Sequence, residues 1–320
     1  MIVVGGEALV DLVPDPSTRK GELGPLLPQL GGGPYTTAVA AGRLGVPVAF
    51  LSRVSTDAFG DALVDRLRTA GVSTELLQRG PEPTTLAVVT LAADGSARYT
   101  FHVQGTADRL VSDPGPLPDE VTALSVGTLG LVLEPGASVY EAMLRREAAR
   151  GRLTVLDPNI RPGLIDDPAA YRRRLRGWLP AVTVLKASVE DVRWLADLPE
   201  DGADGADSDV RPVVADWLAA GVAAVVLTRG AAGLAVFTAD AEPIEVPGVP
   251  TTVADTIGAG DTVHAALLAW LHRHGVGSAA KLRALSGGEW ADALGFAARA
   301  AAVTVSRVGA EPPYAAELAD

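Results

Sequence analysis

Two carboxylates bracket three small residues in VADTIGAGDTVHAALLA, residues 253–269: Asp255 comes before Gly258-Ala259-Gly260 and Asp261 directly after. Glycines let backbone N–H groups crowd around an anion, and a helix starting there adds partial positive charge. The apolar pattern after Asp261 reads as that helix, and the residues before Asp255 read as a β-type run. A carboxylate beside a pocket suited to an anion has two uses. It caps the helix, or it takes a proton from a bound group. The pattern alone is compatible with a plain tight turn and an N-cap. Read for chemistry, Asp261 sits near the helix start and is aimed at a substrate hydroxyl.

Other turns have similar chemistry. Gly31-Gly32-Gly33-Pro34 precedes an Ala-rich helix that runs through Leu44, a further place where backbone can approach a ligand. Thr228-Arg229-Gly230-Ala231-Ala232-Gly233 is a T-x-G-x-x-G turn after a strand. Its hydroxyl, small residues and amides suit the polyphosphate of a nucleotide. Asp157-Pro158-Asn159-Ile160-Arg161 and Lys186-Ala187-Ser188 also follow strands. Arg161 could reach a sugar hydroxyl or a carboxylate, or pair with a nearby Asp. The acidic run Pro199–Asp209 lacks the ligand pattern of a calcium loop and reads as a solvated surface loop.

Placing these turns requires a sheet. From Val121 onward strands at 123–126, 154–156, 182–185, 223–228 and 234–237 alternate with helices at 137–150, 169–178, 189–195 and 213–221. That rhythm predicts an α/β fold, with a mainly parallel sheet covered on both faces and ligands bound beyond the strands' carboxyl ends. Ile2 to Leu12 reads as one buried strand ended by Asp11, and Val48 to Val54 as another. Asp57-Ala58-Phe59-Gly60-Asp61 opens a capped amphipathic helix. Residues 84–103, with Asp94-Gly95 at the middle, read as a β-hairpin that interrupts the rhythm.

Composition bounds the rest. The 320 residues are 48% hydrophobic, enough for a large core. Cysteine is absent, which excludes disulfides, thiol catalysis and cysteine metal sites. A net charge of −12 argues against nucleic acid as a partner. Lysine is scarce and no G-x-x-x-x-G-K-[ST] loop occurs, so bound phosphate would rely on amides, helix dipoles, a few arginines and a metal ion. No apolar run approaches a membrane span, and MIVVGGEALVDL leads straight into a strand. The expectation is a cytoplasmic protein without membrane partners. The same stretch lacks G-x-G-x-x-G, which disfavours a dinucleotide-binding dehydrogenase.

The string D-T-x-G-A-G-D-T, carried by Asp255, Thr256, Gly258, Ala259, Gly260, Asp261 and Thr262, resembles the signature of the ribokinase-like sugar kinases, the PfkB family. The resemblance spans nearly the whole chain. It implies a single ribokinase-like domain over residues 1–320, a three-layer sandwich with a small β-sheet lid built from segments about 12–30 and 84–106. In such kinases the lid covers the sugar and often mediates a homodimer. The resemblance makes Asp261 the base and gives the amides of Gly258, Ala259 and Gly260 to the transferring phosphate. It assigns Asp11, Gly32, Gly33, Thr36, Phe101 and Arg161 to the sugar, with Thr36 in the place of the family's G-G-x-x-x-N asparagine. SRVSTDAFG is similar to the family's G-x-D-x-F-G, with Ser55 in the glycine place.

ATP would meet Asn159, Lys186, Ser188, Thr228, Gly230, Gly233, Gly258, Gly260 and Ala298. Ser188 and Asp191 stand in the family's N-x-x-E element, which organises Mg2+ and phosphate. Glu190 is a rival to Asp191, and helical register favours the latter. Asp255 braces the loop, and relatives often hold a monovalent cation such as K+ near it. LDPNIRPGLI, with GTLGLVLEP before it, looks most like bacterial fructokinases and 2-keto-3-deoxygluconate kinases. Val103 stands where ketodeoxygluconate kinases tend to carry an arginine, which favours a neutral sugar, fructose. A ribose or nucleoside kinase and a non-catalytic sugar sensor are the rival readings.

Overall fold

A computed structural model describes residues 1–15, 17, 24–91, 97–199 and 209–318. The Asp94-Gly95 turn and residues 200–208 of the acidic run lie outside them. The central sheet has nine strands. β1 (Ile2–Gly5) is flanked on one side by β4 (Val48–Ser55) and β5 (Leu77–Gly80). On its other side lie β8 (Ala123–Gly127), β9 (Leu153–Asp157), β10 (Val184–Ser188) and β11 (Ala224–Thr228), all parallel. β12 (Leu234–Thr238) and β13 (Ala241–Val246) close that edge antiparallel.

Strand alternation builds the layers. Ile2 and Val4 pack on one face with α1 (Gly33–Arg43), α2 (Ala58–Thr69), α7 (Ala259–Arg273) and α9 (Gly287–Val305). Val3 points the other way, into the core under α3 (Gly136–Ala149), α4 (Pro168–Trp178), α5 (Val189–Ala196) and α6 (Arg211–Ala219). The α/β reading holds, with helices on both faces. Short α8 (Ala279–Arg283) joins α7 to α9.

A second, four-stranded sheet stands apart: β3 (Leu26–Gly31), β2 (Leu9–Pro14), β6 (Thr85–Leu91) and β7 (Ala97–His102), in that order. This is the lid. It corrects the single strand read over residues 2–12. The apolar run is continuous, yet the chain breaks at Gly6, whose φ is 153°, and a Cβ there would lie 2.3 Å from Pro34. The first half therefore joins the parallel sheet and the second half the lid. The β-type run before Asp255 is also not a strand; residues 251–257 are irregular.

The capping reading of Asp57 holds. Its carboxylate accepts the Gly60 amide at 2.7 Å, and the Thr84 amide and hydroxyl at 2.9 and 2.7 Å. One aspartate thus starts α2 and anchors the entry to β6. The lid's outer strand β3 leaves Leu26 and Leu27 exposed. Among the described residues no helix is long and apolar enough to cross a membrane.

Candidate active site

A cavity of about 320 Å³ opens beyond the carboxyl ends of the parallel strands, beneath the lid. Asp11, Gly31, Tyr99 and Phe101 reach it from the lid. Tyr99 and Phe101 stack at 6.0 Å, presenting an apolar wall. Gly32, Gly33 and Thr36 enter from the start of α1, Asn159 and Arg161 from the loop after β9, and Lys186 from β10. Gly258, Gly260 and Asp261 enter from the start of α7.

The start of α7 has a specific local cause. Gly258 takes φ 77°, and a Cβ on it would press Ala310 at 2.8 Å. The Thr262 amide closes the first turn onto the Gly258 carbonyl at 2.9 Å. The Ala259 amide turns back to the Thr256 carbonyl at 3.3 Å, and Ala259 does not line the cavity. This corrects the expected trio of donors: a tight turn must use one of its own amides. Among the described residues the Gly258, Gly260 and Asp261 amides find no protein acceptor. They are the open donors of the helix mouth.

Asp261 sits in that mouth. Burial pushes its carboxyl up to about 7, with Lys186 and Arg161 opposing and Asp157 and Asp11 adding to the rise. An ideal Cβ on Gly33 would lie 2.8 Å from Thr128 Oγ1, 3.0 Å from Asn159 Nδ2 and 3.3 Å from Asp261 Oδ1. Three polar groups thus converge where the chain carries no side chain. Thr128 and Asn159 both hold positive φ, 53° and 37°, a strained setting for non-glycine residues beside a cavity. Burial pushes Asp11 up to about 6 against the pull of Arg161. Among the described residues Arg161 forms no Asp pair, the plain alternative offered for it. Its Nη1 donates to Asn159 Oδ1 at 2.8 Å and to the Ile160 carbonyl at 3.0 Å.

Lys186 is 4% exposed and donates to Asp157 Oδ2 at 2.8 Å. Burial alone would lower the lysine, but the carboxylates of Asp157, Asp261 and Asp191 together outweigh it and hold the ammonium above its ordinary value. Asp157 in turn is held below the usual carboxylate range, because Lys186 and His264 overcome the cost of its burial. The pair is charged.

Several expected contacts lie elsewhere. Ser188 and Asp191 form the capping box of α5. Asp191 accepts the Ile160 amide at 2.7 Å and the Ser188 amide at 3.0 Å, so both oxygens already hold backbone. It borders no part of the cavity. Asp255 braces the loop, accepting the amides of Ile257 at 3.0 Å and Gly309 at 2.9 Å. Thr228, Gly230 and Gly233 sit at the end of β11, outside the cavity; a Cβ on Gly233 would meet the Val246 carbonyl at 2.1 Å. Ala298 is buried in the core of α9. Its neighbour Arg299 borders a second space of about 280 Å³, shared with Val249, Pro250 and Thr251.

Glu7 was missed. It is 2% exposed, and its two oxygens accept the Gly33 and Gly130 amides, each at 3.1 Å. Burial raises it to about 8. It pins the glycine loop at Gly33 to the segment after β8. The signal was present: Glu7 is the one ionisable residue in the apolar run before Asp11. Tyr99, Thr128 and Ala310, which line the cavity, were also missed, as was the buried His264.

A titratable carboxylate, a buried lysine and open helix amides, gathered under a lid, make a site for moving an anionic group onto a hydroxyl. The pfkB family carbohydrate kinase model matches residues 1–316, and the chain belongs to that family of phosphotransferases, whose acceptor is an alcohol group. The fructokinase of Rhizobium leguminosarum bv. trifolii is 39% identical over 273 residues, 85% of this chain and 79% of that protein. The ATP-bound fructokinase of Xylella fastidiosa superposes with a TM-score of 0.86 at 28% identity, covering 99% of this chain and 96% of that one. The fructokinase of Vibrio cholerae O395, with fructose, ADP and calcium bound, gives 0.82 at 26% identity, with 99% and 97% covered.

Proposed function

We propose that this chain transfers the γ-phosphate of ATP to a hydroxyl of fructose. The observation that carries the reading is Asp261, a carboxyl raised to about 7, in the mouth of α7 beside amides without protein acceptors. The sugar lies under Tyr99 and Phe101, with one hydroxyl toward Asp261. The transferring phosphoryl oxygens take the Gly258, Gly260 and Asp261 amides and the Lys186 ammonium. Asp261 accepts the hydroxyl proton as the new P–O bond forms and the bond to ADP breaks. Most of the barrier reduction comes from position and electrostatics. The lid excludes water, so that phosphate goes to the sugar.

The cavity's own charges support a neutral sugar. Asp11 and Asp261 are acceptors for hydroxyls, and Arg161 is already tied to Asn159. Val103 is buried in the lid's apolar cluster and offers no cation for a substrate carboxylate. The similarity to the Rhizobium fructokinase points the same way.

Among the described residues no group of three or more His, Asp or Glu side chains is placed to hold a metal. Asp191 and Asp255 each give both oxygens to backbone amides. A magnesium ion would ride on the donor's own phosphates and water. Cytoplasmic location and a homodimer through the lid, whose β3 exposes Leu26 and Leu27, complete the reading.

ADP release should be followed with ATP and a panel of fructose, ribose, 2-keto-3-deoxygluconate and a nucleoside. Fructose is expected to give the highest kcat/KM. Because Asp261 must be deprotonated to act, kcat/KM should fall about tenfold per pH unit below about 7 and level off above it. A faster acid sugar would replace the substrate. Sugar binding without ADP release would leave the sensor reading.

A further inference from the structure

Below the cavity floor, buried polar groups form a chain across the sheet. Ser125 on β8, His264 on α7, Asp157 at the end of β9 and Lys186 on β10 are 2, 2, 6 and 4% exposed. Ser125 Oγ lies 2.8 Å from His264 Nε2, and His264 Nδ1 lies 3.2 Å from Asp157 Oδ2. Lys186 Nζ reaches the same Asp157 oxygen at 2.8 Å. One tautomer satisfies every contact. Nδ1–H donates to Asp157, and the Ser125 hydroxyl donates to Nε2. Among the described residues the buried Asp157 Oδ1 has no hydrogen-bond partner. The hold of Asp157 on the lysine therefore passes through one oxygen, which the lysine shares with the histidine.

Position relates this chain to the reaction. Lys186 lines the main cavity, and an ideal Cβ on Gly260 would lie 3.2 Å from its Nζ. The ammonium therefore stands beside the first turn of α7. His264 follows Asp261 by three residues, so the two share a face of that helix. The helix that carries the base is tied, through Asp157, to the lysine that faces the phosphate.

We propose that His264 is a positioning residue for phosphoryl transfer: it fixes Asp157 in the orientation that keeps the Lys186 ammonium at the mouth of α7. The inference rests on the kinase reading above. Without the imidazole N–H, Asp157 Oδ2 is free to turn into the vacated space and draws the lysine after it. The cation then leaves the phosphoryl oxygens while the base stays in place. Thr37, whose hydroxyl donates to the Asp261 carbonyl at 3.4 Å, holds the helix start independently.

Three variants of the full chain test this: His264→Asn, His264→Gln and His264→Phe. An Asn amide can donate where Nδ1 does, whereas a Gln amide reaches toward Ser125. Turnover with fructose, KM for each substrate and the melting temperature are measured together. H264Q and H264F are expected to lose about 10- to 100-fold in kcat, the scale of a misplaced reacting group, with KM for the sugar unchanged. H264N is expected to recover most of that loss, whatever its melting temperature. A core histidine with a packing role alone would move the melting temperature and leave kcat in place. Wild-type kcat in H264Q, or equal losses in H264N and H264Q, overturns the inference while the kinase reading stands. A wild-type protein that releases no ADP with any sugar overturns that reading first.

Discussion

Replacing Asp261 with Asn lowers kcat by about 10²- to 10⁴-fold, the usual contribution of a general base, with sugar affinity nearly unchanged. The amide keeps the shape of the carboxyl and can still hydrogen-bond a hydroxyl, but it cannot take the proton. Stability should not suffer. Burial raises the Asp261 carboxyl to about 7, above its ordinary range. A raised acid stabilises the fold fully below its unfolded value, and that contribution is lost as pH rises through about 7. At pH 8 the native protein carries a buried charge that Asn removes. The variant should therefore melt at the same temperature or higher. Calorimetric sugar binding, turnover and a melting curve at pH 8 check all three. Full turnover with intact binding would remove the base assignment.

Lys186→Met is expected to combine a catalytic loss with a structural one. Removing one preorganised donor to developing charge typically costs about 10²- to 10³-fold in kcat. Here the donor is also the partner of Asp157, both nearly fully buried. Breaking a buried pair on one side destabilises by about 3–5 kcal/mol, and here the remaining Asp157 carboxylate keeps only its His264 hydrogen bond. The two effects separate in a double variant. Lys186→Met with Asp157→Asn removes the stranded charge, so it should regain much of the melting temperature and none of the turnover. A double variant that regained both would mean that the lysine serves the fold alone.

Much of this site was legible because short strings fixed it. A glycine turn that feeds a helix states its open amides and its carboxylate in consecutive residues, as at 258–261. The β/α rhythm placed Asn159, Arg161 and Lys186 on one edge before any coordinate. What the strings do not state is which atoms the protein already uses for itself. Asp191, expected to organise magnesium indirectly, is also the cap of α5 and the anchor of Ile160. Ala259 looked like a donor, but its amide turns back to Thr256. Gly233 suits a phosphate loop, and the close approach of the Val246 carbonyl gives a second reason for its lack of a Cβ. Glu7 and His264 read as parts of apolar runs, because their partners Gly130, Ser125 and Asp157 lie more than 100 residues away. The break at Gly6 was hidden for a similar reason: both halves of the run are apolar, though they enter different sheets.

A crystal structure of the full chain with fructose and a non-transferable ATP analogue bears most directly on the whole account. It should place one sugar hydroxyl about 2.6–3.2 Å from the Asp261 carboxylate. The terminal phosphate oxygens should lie on the Gly258, Gly260 and Asp261 amides, with the Lys186 ammonium beside them. A sugar bound with no hydroxyl near Asp261, or a terminal phosphate held away from the mouth of α7, would contradict it.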